Sequence, residues 1–138
     1  SMGNPHAVCH LGDLDAMPAA CFTDPDNRSL ETVRINEIGA YFESHEAFPE
    51  KANIEFYVAS APDQLAMRVF ERGCGETMAC GTGTCATVVA AHLQGVADAD
   101  ATVQLLGGDL HISYQPDRVM MTGPAAVSFE GDVEIAGA

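Results

Sequence analysis

Residues 82–94 are the one strongly apolar helix that this chain predicts, with Ala86, Val88, Val89, Ala90, Ala91 and Leu93 along it and Gly95 to end it. A helix with so little polar surface must be buried. What surrounds it reads mainly as strands, over 6–11, 54–59, 65–71, 102–106, 110–115, 119–122 and 126–129, joined by turns such as Ala61-Pro62-Asp63-Gln64 and Gly107-Gly108-Asp109. One further helix, over 32–44, follows from Ile35, Ile38 and Phe42. Residues 12–29, rich in Asp, Pro and Asn, read as loop. The economical packing is an α+β fold in which a barrel-like, mostly antiparallel sheet wraps around the central helix.

A chain of 138 residues with 47% hydrophobic content suits a single domain with a genuine core. A net charge of −14, with only six Lys and Arg, argues against binding nucleic acid, because few cations are available to displace counterions from phosphates. No apolar run approaches the roughly 20 residues of a membrane span, and no charged, then apolar, leader opens the sequence. Five cysteines, an odd number without a staple-like pattern, fit a reducing compartment and a cytoplasmic protein. Paired Cys-x-x-Cys spacing is lacking, so no metal is expected.

The chemistry concentrates just before the apolar helix, where Glu71-Arg72-Gly73-Cys74-Gly75-Glu76-Thr77-Met78-Ala79-Cys80-Gly81-Thr82-Gly83 delivers a cysteine to the helix start. Unpaired N–H groups and the helix dipole favour negative charge there, so Cys80 is expected to ionise below the usual thiol range. Gly81 and Gly83 let the backbone approach an anion closely. Cys9, Cys21, Cys74 and Cys85 read as small core hydrophobes.

That segment resembles the second catalytic-cysteine signature of diaminopimelate epimerases. Asn4-Pro5-His6, Phe48-Pro49-Glu50-x-x-Asn53-x-Glu55-Phe56, Gly107-Gly108-Asp109-Leu110 and Met121-Thr122-Gly123-Pro124-Ala125 also match, in the family's order. The resemblance implies a pyridoxal-independent isomerase of lysine and peptidoglycan precursor biosynthesis, working without a cofactor on L,L- and meso-diaminopimelate. It implies that residues 1–138 are the C-terminal domain, and that an N-terminal domain bearing the first catalytic cysteine lies outside this sequence. Inverting an α-carbon removes a proton from one face and returns one to the other, so two acid/base groups must flank it. By resemblance Cys80 is one of them and Glu71 its carboxylate partner. Gly81 and Thr82 would offer backbone donors to the substrate carboxylate. Asn53 and Arg72 would hold the distal end of the substrate, and Asn4 would contact it too. His6 matches an acid/base histidine that serves the thiol of the other half. His10, His45, His92 and His111 match no functional position. The expected partners are diaminopimelate, the N-terminal domain and, in a homodimer, a second copy.

Three other readings stay open at this level. One half of a proline-type racemase shares the two-thiol logic, and a non-catalytic dimerisation module could pair through edge strands near the C-terminus. Gly81-x-Gly83-x-x-Ala86 superficially fits a dinucleotide fingerprint, but that motif needs a strand running straight into the glycine turn and a βαβ crossover. A long loop over 73–79 followed by antiparallel hairpins is expected instead.

Overall fold

The computed structural model describes residues 2–134. The elements in chain order are β1 (His6–His10), α1 (Ile35–Glu43), β2 (Asn53–Ala61), β3 (Gln64–Glu71), β4 (Gly75–Thr77), α2 (Gly81–Leu93), β5 (Asp100–Leu105), β6 (Gly108–Gln115) and β7 (Arg118–Thr122). All seven strands form one sheet in the order β1-β2-β3-β5-β6-β7, with β4 paired to the end of β3. β1 runs parallel to β2 and β3 parallel to β5, while the other pairings are antiparallel.

Helix α2 packs against β1 and β2 at one end of the sheet and against β5, β6 and β7 at the other. Only a sheet curled around the helix can reach it from both ends, which is the expected wrapped architecture. The inner core joins Val88 and Ala91 of α2 to Tyr57, Met67, Val103 and Ile112 of the sheet. The outer face of β2 and β3 is covered by α1 and by the irregular chain before it, through Phe22, Val33 and Ile35 on Ile54, Phe56 and Phe70. Strand β2 is therefore buried on both faces along most of its length.

Threonines 84 and 87 are fully buried in α2 without penalty, because each hydroxyl donates back to a carbonyl one turn earlier, Thr84 to Cys80 (2.7 Å) and Thr87 to Gly83 (2.9 Å). At the other end Gly95 takes φ +73°, and the N–H of Val96 bonds to the Ala91 carbonyl (2.9 Å), closing the helix.

The structure departs from the sequence reading in four places. The helix expected over 32–44 starts at Ile35, because 30–32 is a tight 3-10 turn and Val33 bridges to Phe22. The segment 126–129 is no strand: Pro124 removes a ladder donor after β7, and Val127 and Phe129 are exposed, so their alternation buries nothing. The loop expected over 73–79 contains β4, a three-residue strand too short to show a period. A crossover through β4 and α2 does join the parallel strands β3 and β5, although β4, antiparallel to β3, intervenes before the glycines.

Arg68 fastens this arrangement from the outer side of β3. Its guanidinium donates to both carboxylate oxygens of Glu76 on β4 (2.6 and 2.9 Å) and to the carbonyls of Leu30, Glu31 and Val33. Arg68→Ala strands a half-buried carboxylate and three carbonyls, so urea denaturation should show a loss of roughly 2–4 kcal/mol. An unchanged midpoint would show the clamp to be idle.

Candidate active site

Cys80 is the residue before α2, in extended conformation, and its side chain is buried. Its sulfur lies 3.6 Å from the Thr82 hydroxyl. Burial pushes the thiol up from its ordinary pKa; the Thr82 hydroxyl and the Gly83 N–H pull it down, and the charge and hydrogen bond of Glu71 push it up again. This corrects the expectation of an acidic thiol. The helix terminus is present as expected, but the Cys80 side chain is buried and has a carboxylate beside it, and these two effects prevail. Cys85 and Cys9 are likewise raised, burial being the largest cause for each. Cys74 is exposed and not a core residue.

Glu71, at the end of β3, lines the same open cleft of about 470 Å³ as Cys80, Gly81, Thr82, Cys85, Met2 and Met121. The Thr77 hydroxyl of β4 donates to its carboxylate (2.6 Å) and fixes it there. A thiol that carries its proton stands beside an oriented carboxylate at a helix N-terminus. Such a pair can give a proton to a carbon and take one back, while first-turn N–H groups face any carboxylate bound there.

His6 lies at the start of β1, with only 5% of its side chain exposed. Its Nδ1 meets Oε1 of Glu55 at 2.6 Å, and its Nε2 meets Oδ1 of Asn4 at 2.9 Å. Asn4 in turn donates from Nδ2 to the Thr82 hydroxyl (3.4 Å), which ties the His6 group to the α2 terminus. Asn53 and Arg72, expected at the distal end of the substrate, are engaged in internal hydrogen bonds. The Asn53 side chain is taken up by the Pro5 carbonyl (3.0 Å) and the Arg72 N–H (2.9 Å), and the Arg72 guanidinium donates to the Glu50 carbonyl (2.9 Å). Both brace the rim around Glu71 in this conformation.

The sequence reading assigned no role to Glu55 or Thr77. Glu55 is fully buried, and burial raises its pKa against the lowering effect of His6. A signal was available: a lone carboxylate inside Ile54-Glu55-Phe56-Tyr57-Val58, a run that otherwise reads as a strand buried on both faces, needs a partner. Gly83 makes room for it, since a Cβ there would lie 2.7 Å from Glu55 Oε1 and 3.2 Å from the Cys80 sulfur.

A sheet curled around one central helix defines an α+β half-barrel domain, with a thiol at the helix start and a carboxylate at a strand end in one cleft. Solved PhzF-family phenazine biosynthesis proteins from Enterococcus faecalis and Clostridium difficile share the fold alone. Their TM-scores are 0.57 and 0.53 at 20% identity, covering 85% and 83% of this chain and 36% and 35% of theirs. The family model for diaminopimelate epimerase matches residues 1–128. Curated diaminopimelate epimerases of Synechococcus elongatus, Microcystis aeruginosa and Methanococcus maripaludis are 47%, 50% and 43% identical over 137, 133 and 137 residues. The alignments cover 99%, 95% and 98% of this chain and 43%, 42% and 44% of those relatives. The chain belongs to the diaminopimelate epimerase family and spans less than half the length of these relatives.

Gly83→Ala should gain about 1 kcal/mol of helix propensity and lose more, because the nearest atom belongs to a buried carboxylate held by His6, and overpacking costs about 1–3 kcal/mol. Thermal unfolding should record net destabilisation, and a rise in melting temperature would refute the close approach. Glu55 gives a pH dependence. A carboxyl that burial raises above its ordinary value of 4.5 stabilises the fold fully below that value, and the contribution is lost as pH rises through the folded pKa. Urea midpoints should therefore fall over that window and flatten in Glu55→Gln, whereas parallel pH profiles would contradict the assignment.

Proposed function

We propose that residues 1–138 form the C-terminal catalytic half of a diaminopimelate epimerase, interconverting L,L- and meso-diaminopimelate by a two-thiol acid/base mechanism without a cofactor. The observation that carries this reading is the Cys80–Glu71 pair in one open cleft at the start of α2. Cys80, holding its proton, acts on one face of the α-carbon, and Glu71 is its carboxylate partner and a contact for the substrate amino group. Gly81 and Thr82 offer backbone donors to the carboxylate next to the reacting carbon. Asn4 contacts substrate, and Asn53 and Arg72 serve the distal end once the Arg72 guanidinium releases the Glu50 carbonyl.

The second acid/base has to approach from the opposite side. Cys85 lines the same cleft and lies in the first turns of the helix that Cys80 precedes, so it does not meet that requirement. We assign the second thiol to an N-terminal half, in keeping with the 43% of the Synechococcus relative that this chain spans, and His6 to the service of that thiol. Among the described residues no helix is long and apolar enough to cross a membrane. All five cysteines are free, and we place the protein in the reducing cytoplasm.

The reading is tested by α-proton exchange of L,L-diaminopimelate in deuterium oxide. The chain alone should show a trace at most, because positioning and electrostatic stabilisation are both incomplete. Mixing with a separately expressed N-terminal half of a relative should restore exchange, and Cys80→Ala in the mixture should lower it by about 10²–10⁴-fold. Exchange that is indifferent to Cys80→Ala would overturn the assignment.

A further inference from the structure

Glu55 is a carboxyl group with no solvent exposure, and it has no role in the mechanism above. It is fully buried near the start of β2, one strand in from the β1 edge, and its second oxygen, Oε2, has no hydrogen-bond partner among the described residues. An ionised carboxylate in that position, beside a neutral histidine, would be an uncompensated buried charge. The titratable groups facing it are His6 and Cys9 from β1, Glu71 from β3 and Cys80 across Gly83 from α2. None of these except His6 can neutralise it, since two are thiols and the other is a second carboxylate.

The hydrogen bonds around His6 account for the protons. Asn4 Oδ1 only accepts, so His6 Nε2, at 2.9 Å, carries a hydrogen. Nδ1, at 2.6 Å from Glu55 Oε1, then has two options. Either Glu55 is a carboxylic acid donating to a neutral ring, or the ring is an imidazolium donating to a carboxylate. Both describe a neutral pair with one proton between Oε1 and Nδ1.

We propose that Glu55 is a positioning residue that holds His6 through one shared proton and thereby keeps the His6 Nε2–H facing Asn4 and the α2 terminus. The inference deepens the functional reading above and rests on it for the direction of proton flow. When Nε2 gives its proton to a base opposite Cys80, the N–H bond breaks there and an N–H bond forms at Nδ1 as the proton passes from Glu55. The ring ends neutral, and the negative charge rests on Glu55 until a proton returns. Burial of Glu55 makes that state costly, which drives reprotonation of the pair after each transfer.

The test is nitrogen-15 NMR of histidine-labelled chain without substrate, between about pH 5 and 8. The wild type should show His6 with Nε2 protonated throughout and a strongly deshielded proton between Nδ1 and Glu55. Glu55→Gln should lose that proton resonance yet keep the Nε2–H form, because the amide can donate to Nδ1. Glu55→Leu should lose the lock, with both tautomers appearing. A wild-type ring with Nε2 bare and Nδ1 protonated overturns the proposal, as does a deshielded proton that survives in Glu55→Gln. If the variants fail to fold, the wild-type spectrum decides alone. The spectra involve no turnover, so a failed exchange assay with an intact Nε2–H lock would sink the epimerase reading and leave the Glu55 assignment standing.

Discussion

The close approach of the first turn of α2 to β2 is the constraint on which the rest depends. Position 83 faces a buried carboxylate oxygen on one side and the Cys80 sulfur on the other, with no space for a methyl group. That contact sets how deep the helix sits inside the curled sheet, and so whether one helix can touch β1 and β7 at once. A glycine in a helix interior costs about 1 kcal/mol against alanine, and here that cost is offset by the packing it permits. Withdrawing the helix would open the inner core, where Val88 and Ala91 are fully buried.

Burial at the same helix terminus decides the protonation of the Cys80 thiol. A helix terminus alone draws a thiol toward its anion, and the effect of an exposed terminus is typically below about 1 kcal/mol for a charge placed there. Burial of the Cys80 sulfur and the neighbouring Glu71 carboxylate act in the opposite direction and prevail. The resting thiol thus keeps its proton beside a carboxyl group that the Thr77 hydroxyl orients. In the proposed reaction an acid/base that must work in both directions benefits from this, since the thiolate would form only when bound substrate is there to receive the proton.

The fold was legible in outline because α2 is too apolar to be anything but central, and the strand–turn alternation around it is regular. The misses came where local pattern and tertiary pairing part company. Strand β4 is three residues among glycines, and 126–129 alternates without a neighbour to pair with. Cys80, Glu71 and His6 were visible as residue types in a motif, but the raised thiol pKa was not, because burial is a property of the folded site. Asn53 and Arg72 were legible as motif residues, whereas their internal bonds to Pro5 and Glu50 depend on how the rims of β1 and β3 meet. Glu55 announced itself only as a charge in an apolar run, and its partner lies 49 positions away.

Strand directions explain why residues so scattered converge. β1 is parallel to β2 with His6 opposite Asn53, so Asn4, His6, Asn53 and Glu55 gather at the leading ends of two strands. β2 is antiparallel to β3 with Ile54 opposite Phe70, which sets those leading ends beside the trailing end of β3, where Glu71 and Arg72 lie. The chain must then cross over to reach β5, parallel to β3, and its helix begins at the same rim with Cys80, Gly81, Thr82 and Gly83. A single antiparallel hairpin in place of that crossover would put the helix start at the far end of the sheet. The two parallel pairings, a minority in the sheet, are therefore what bring the thiol, the carboxylates and the histidine to one rim, made of the amino ends of β1 and β2 and the carboxyl end of β3.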